Sequence, residues 1–148
     1  MSRIPHLLFV APRREQHQRF ANAITVSGLG CTVHGVNGSA DAFLFLTRLG
    51  SYLDSPRPKL IVLEMCQPAA DGWGLLSVLK HNALLKSIPV VVMADSESYI
   101  DVLRCGGMKV DDYVTLPDSQ QEYIELVGSF DRWLVGSSTG LTLATSVP

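Results

Sequence analysis

Apolar residues recur in five short blocks rich in β-branched side chains, and stretches with helical spacing separate them. Leu7-Leu8-Phe9-Val10 is the first block and predicts a strand. A helix is expected from Arg14 to Val26, with Phe20, Ala23 and Ile24 on one face and Gly28 and Gly30 ending it. Cys31 to Val36 alternates and reads as an edge strand. Ser39 is the expected cap of a second helix with the buried stripe Ala42, Phe43, Leu46 and Leu49. Gly50 to Pro58 is a loop with two prolines. Leu60 to Leu63 is apolar throughout, as expected of a strand covered on both faces. A helix follows from Gly72 to His81, then a strand from Pro89 to Met93. Ser96 or Ser98 opens the next helix, which stops at Gly106-Gly107. Asp112 to Thr115 is the fifth strand, and Asp118 or Ser119 caps a last helix reaching about Val135.

Such alternation requires right-handed crossovers and a parallel sheet with helices on both faces. Five units fit an α/β, flavodoxin-like doubly wound sheet with strand order 2-1-3-4-5. The length of 148 residues predicts one domain over residues 1–135. Residues 136–148 carry no charge and many Ser and Thr, which predicts a flexible tail. A hydrophobic share of 47% fills one core, and a net charge of -2 gives no basic footprint for nucleic acid. The apolar runs are too short to span a bilayer, and no leader segment is read. Cys31, Cys66 and Cys105 are widely spaced without a CxxC, which suits a reduced, cytoplasmic protein with cysteines as small hydrophobes. His6, His17, His34 and His81 fall on different elements without triad or metal spacing, and structural roles are expected.

Ligand chemistry in such sheets gathers at the carboxyl ends of the strands. There the apolar run from Leu60 meets one acid, Glu64, and the chain turns through Pro68 and Asp71-Gly72 toward Trp73. This stretch resembles the phosphoacceptor strand and loop of the response-regulator receiver domain, and the resemblance extends over roughly Ile4 to Leu134. The segment from Leu46 to Pro58 is similar to that of small stand-alone receivers associated with phytochrome-type histidine kinases.

The resemblance implies a phosphoryl site with an acidic pair, an acceptor aspartate, a hydroxyl and a lysine. Those positions hold Pro12 and Arg13, Glu64, Ala94, and Leu116. Pro117 matches the family's proline, which makes Leu116-Pro117 a cis-peptide candidate. Tyr113 matches the switch aromatic; beside the small Ala94 it either stays turned inward or packs on the sheet edge with its hydroxyl in water. Phosphoryl transfer rests on positioning and on a cation that neutralises charge. Two of the three acids are absent, and a Glu nucleophile stands about one C–C bond (~1.5 Å) farther out than an Asp. Misplacement on that scale costs about 10²-fold in rate.

The expectation is a degenerate receiver, or pseudo-receiver, that is no enzyme, holds no metal or cofactor, and acts as a phosphorylation-independent interaction module in two-component signalling. Its partner would be a histidine kinase or another signalling protein. Arg13 or Arg14 should pair with Glu64 and stand in for the metal. The alternative is a phosphoryl-accepting or constitutively active switch that uses Glu64 in place of the aspartate. A further alternative is a small-molecule binder using the emptied pocket. Asp95 and Ser96, near the site mouth, are expected to cap the loop. In the last helix Tyr123, Leu126, Phe130 and Trp133 make one apolar stripe, and Ile124, Val127 and Leu134 another. That excess predicts a partner surface and a homodimer through it.

Overall fold

The longest apolar run becomes the central strand. In the computed structural model, which describes residues 4–66, 72–108 and 110–134, Leu60–Met65 forms β3 with all six residues buried. It lies between β1 (His6–Val10) and β4 (Val90–Ala94); β2 (Thr32–Val36) and β5 (Asp112–Thr115) are the edges. Every pairing is parallel and the order is β2-β1-β3-β4-β5, as the alternation of elements predicts.

The two-residue period of a strand sorts the core into two layers. Leu7, Phe9, Leu60, Val62, Val91 and Met93 point to the side covered by α1 (Arg14–Ser27), α5 (Gln120–Gly128) and the short α6 (Asp131–Leu134). Leu8, Val10, Ile61, Leu63, Val90 and Val92 point to α2 (Ser39–Thr47), α3 (Gly72–His81) and α4 (Glu97–Cys105). On the first side Phe9 stacks on Phe20 at 4.1 Å between centroids, and Tyr123 meets Phe20 edge-on at 6.1 Å. Each such aromatic pair adds about 0.5–1.5 kcal/mol beyond its area burial.

The helix ends follow local chemistry. Gly28 terminates α1 at φ 74°, where a side chain would be strained. Ser96 and Ser119 accept from the amides of Tyr99 and Glu122 and cap α4 and α5. Gly38 holds the cap position of α2, and Ser39 is its first helical residue.

Besides the cap of α2, expected at Ser39, three expectations need correction. In α2 the buried residues are Ala42 and Phe45; Phe43 is 37% exposed and Leu49, beyond the helix, is 49% exposed. The helix ends at Arg48, which takes the left-handed position at φ 59°, so the 3.6-residue period does not carry on to Leu49. The last helix breaks at Gly128-Ser129, where amides of Ser129 and Phe130 bond back three residues to Leu126 and Val127. That tighter turn brings Phe130 and Leu134 onto the sheet, each 2% exposed. Finally, Tyr123 is 0% exposed, so Tyr123 and Phe130 are core rather than partner surface. Leu126 and Trp133 pack half-buried against the same core. The stripe covers the chain's own sheet, and the argument for a dimer face goes with it. The tail from residue 136, together with Pro68 and Asp71, lies outside the described residues.

Candidate functional site

The carboxyl ends of the strands bring the expected site positions together. β3 runs two residues further than its apolar run predicts, so Glu64 stands on the strand itself beside Met93 of β4. Its parity with Leu60 and Val62 places it on the α1 side of the sheet. Pro12 and Arg13 follow β1, and Arg13 is the cap residue of α1 with extended backbone, φ -102° and ψ 132°. From there Arg13 Nη2 donates to Glu64 Oε2 at 3.0 Å. The Glu64 side chain is 1% exposed, whereas half of the Arg13 side chain is in water. The hydrogen bond and charge of Glu64 raise the guanidinium pKa further above its ordinary value. Arg14 is exposed. Of the two arginines considered, Arg13 forms the pair.

A second donor reaches the same oxygen. Cys66 Sγ lies 3.4 Å from Glu64 Oε2, and burial, then the Glu64 charge, pushes its thiol up to about 12. Glu64 Oε1 is buried with no hydrogen-bond partner among the described residues. Glu64 also lines a cavity of about 90 Å³ with Pro12, Asn37, Gly38, Cys66 and Gly72. Gly72 is required by close approach: a Cβ there would stand 2.8 Å from Met65 Cγ. The loop after β1 is held by His17, whose Nε2 bonds the Ala11 carbonyl at 2.8 Å. His17 therefore has the structural role expected of it.

The remaining positions carry no polar group toward the site. Ala94 is fully buried, paired with Met65 and Thr115, and accepts from the Leu116 amide at 2.7 Å. Leu116 packs half-buried on the α1/α5 core, next to Pro117. Tyr113 is half-buried on β5 with the Arg104 guanidinium 5.3 Å from its ring centroid. Burial raises its phenol pKa against the opposing charge of Arg104.

Sequence reasoning missed three contacts. Tyr123 donates to Gln16 Oε1 at 3.0 Å inside the α1/α5 layer. Cys66 bonds Glu64, and His6 bonds His34 across β1 and β2. The first and last arise from helix docking and strand register, which spacing along the chain does not carry, whereas Cys66 stands two positions from Glu64, the period that puts neighbours of an extended chain on one face.

The divalent cation implied by the fold does not fit these side chains. Mg²⁺ is held through carboxylates in near-octahedral geometry. Pro12 offers no side-chain oxygen, Arg13 brings a positive charge, and one oxygen of Glu64 is already committed. Among the described residues no group of three or more His, Cys, Asp or Glu is placed to hold a metal ion.

No protein-family model matches the chain. Among curated proteins it is 36% identical over 94 residues to the response regulator Rcp1 of Synechocystis, covering 63% of this chain and 64% of that one. It is 33% identical over 80 residues to the phosphate regulon transcriptional regulatory protein PhoB of Klebsiella pneumoniae, spanning 54% of this chain and 35% of PhoB. In three dimensions it superposes on the Mn²⁺-bound form of Rcp1 with TM-score 0.74 and 26% identity, over 97% of this chain and 99% of Rcp1. The phosphorylated cyanobacterial phytochrome response regulator RcpA gives TM-score 0.79 at 24% identity, over 93% and 98%. In fold and in sequence the chain is similar to response-regulator receivers, and it spans less than two thirds of the curated relatives it matches. Its particular resemblance is to regulators such as Rcp1 and RcpA, of whose chains it covers 99% and 98% in structure.

Proposed function

We propose that this receiver serves two-component signalling in the cytoplasm as an interaction module whose docking does not wait for phosphorylation. Its partner is a histidine kinase, of the phytochrome type by analogy with RcpA, or another signalling protein. It catalyses no reaction of its own. The observation that carries this reading is the 3.0 Å contact between Arg13 and the buried Glu64. The guanidinium supplies from within the chain the positive charge that a phosphoryl acceptor takes from a metal. Ala94 and Leu116 leave no hydroxyl or ammonium to hold phosphoryl oxygens. Stabilisation of a transferring phosphoryl group is almost wholly electrostatic, so these losses reach the reaction itself.

The test is incubation of the full chain with Mg²⁺ and acetyl phosphate, followed by intact mass. An unlabelled protein that still binds its kinase partner supports the proposal. Stoichiometric labelling that vanishes in Glu64→Gln would overturn it in favour of a phosphoryl-accepting switch.

A further inference from the structure

We propose that His6 and His34 form a two-imidazole site for a late first-row divalent metal ion, of the nickel or copper kind, at the β1–β2 edge of the sheet. His6 Nδ1 and His34 Nε2 are 2.9 Å apart, and the ring centroids lie 5.1 Å apart at an interplanar angle of 38°. The register places His6 opposite Thr32 and Leu8 opposite His34, so the two imidazoles are diagonal neighbours on one face. Both are half-buried, which leaves one side of the pair open to water.

The spacing admits chelation. Metal–imidazole bonds are about 2.0–2.1 Å. Two such bonds at a right angle set the nitrogens about 2.9 Å apart, whereas the tetrahedral angle opens them to about 3.3 Å. The observed distance fits the cis positions of a tetragonal or octahedral ion, and imidazole with oxygen donors suits Ni²⁺ and Cu²⁺. The remaining positions would be taken by water, since no third His, Cys, Asp or Glu joins the pair among the described residues. One ligand is also held in advance: the His34 ring packs on Phe45 at 5.1 Å, and Phe45 packs on Tyr52 at 5.6 Å. Burial lowers the His34 pKa, and a neutral ring is the form that ligates.

In the metal-free pair one ring N–H donates to the lone pair of the other ring. Binding moves that proton, through solvent, to the donor ring's other nitrogen. Both rings stay neutral, and no electron is transferred. The ion would then clip edge strand β2, and the α2 flank that rests on His34, to β1.

The test is a calorimetric titration of the untagged full chain with Ni²⁺ alone, in buffer free of imidazole, with ring-proton NMR in parallel. The expected result is one Ni²⁺ per chain, with paramagnetic broadening centred on His6 and His34. His6→Gln and His34→Gln should each weaken binding at least about tenfold, while the exposed His81→Gln leaves it unchanged. No binding at millimolar Ni²⁺, broadening centred elsewhere, or an affinity in both variants unchanged from the unaltered protein would overturn the proposal. The broadening pattern of the unaltered protein decides the matter even where a variant folds poorly.

Discussion

Two hydrogen-bonded pairs reach inward from one short stretch at the start of α1, Arg13 with Glu64 and Gln16 with Tyr123. The second is neutral, and both partners are buried. It sits in a layer where the Phe9 and Phe20 rings stack. The first is charged, half in water, and incomplete, because Glu64 Oε1 stays unpaired among the described residues. The layer beneath α1 and α5 is therefore stabilised by packing, with the Gln16–Tyr123 bond inside it and the Trp133 indole Nε1 buried without a partner among the described residues. The rim at the strand ends is held by an ion pair that offsets a buried charge and leaves a lone pair over. Each region thus leaves one buried polar atom unmatched among the described residues, a neutral indole N–H in the packed layer and a carboxylate oxygen at the rim, and the charged group is the costlier to leave so.

Three measurements sharpen that comparison or break it. The largest effect belongs to the packed layer. Phe20→Ala should lower unfolding free energy by about 3–5 kcal/mol in urea, because the rings around it cannot collapse into the space. A loss below about 1 kcal/mol would show that the layer is not the stabilising one.

Next comes the rim. Breaking a fully buried ion pair costs about 3–5 kcal/mol. Solvent already screens half of the Arg13 side chain, so Arg13→Ala should cost about 1–3 kcal/mol. Adding Glu64→Leu should recover most of that loss, since the buried charge disappears with its partner. A double-mutant cycle in the same urea titration gives the coupling directly.

The smallest effect is a reactivity. Burial and Glu64 hold the Cys66 thiol at about 12, while Cys105 is exposed. Because thiolate is the nucleophile, iodoacetamide at neutral pH should modify Cys105 well before Cys66, as read by peptide mass. The sign for stability follows. The folded value lies above the ordinary 9.0, so the contribution of Cys66 is complete below pH 9.0 and is lost as pH rises toward about 12. Equal alkylation of the two cysteines would place Glu64 in a far more open setting than the rim described.

Much of this was legible along the chain. Strand order followed from five apolar blocks separated by helices, because parallel strands admit few right-handed connections. Glu64 stood out because one acid closes a buried apolar run where the receiver resemblance puts its acceptor, and Arg13 was one of two arginines proposed to pair with it. The errors share a cause: periodicity tells which residues of a helix gather on one side, not what covers that side. The stripe of Tyr123 and Phe130 looked like spare surface until Leu7, Phe9 and Phe20 were seen to need it. Phe43 was chosen over Phe45 because both are apolar and adjacent phases of a nine-residue helix differ little. His6 and His34 were invisible as a pair because 28 residues separate them and strand register alone joins them.

The Arg13–Glu64 contact also changes what the site depends on. A diffusible ion occupies its place according to supply, and chelators or scarcity empty it. A guanidinium attached three positions beyond the end of β1 has an effective concentration fixed by the length of its own side chain. The positive charge at this rim is thus made with the chain, is inherited with it, and is indifferent to the metal content of its surroundings.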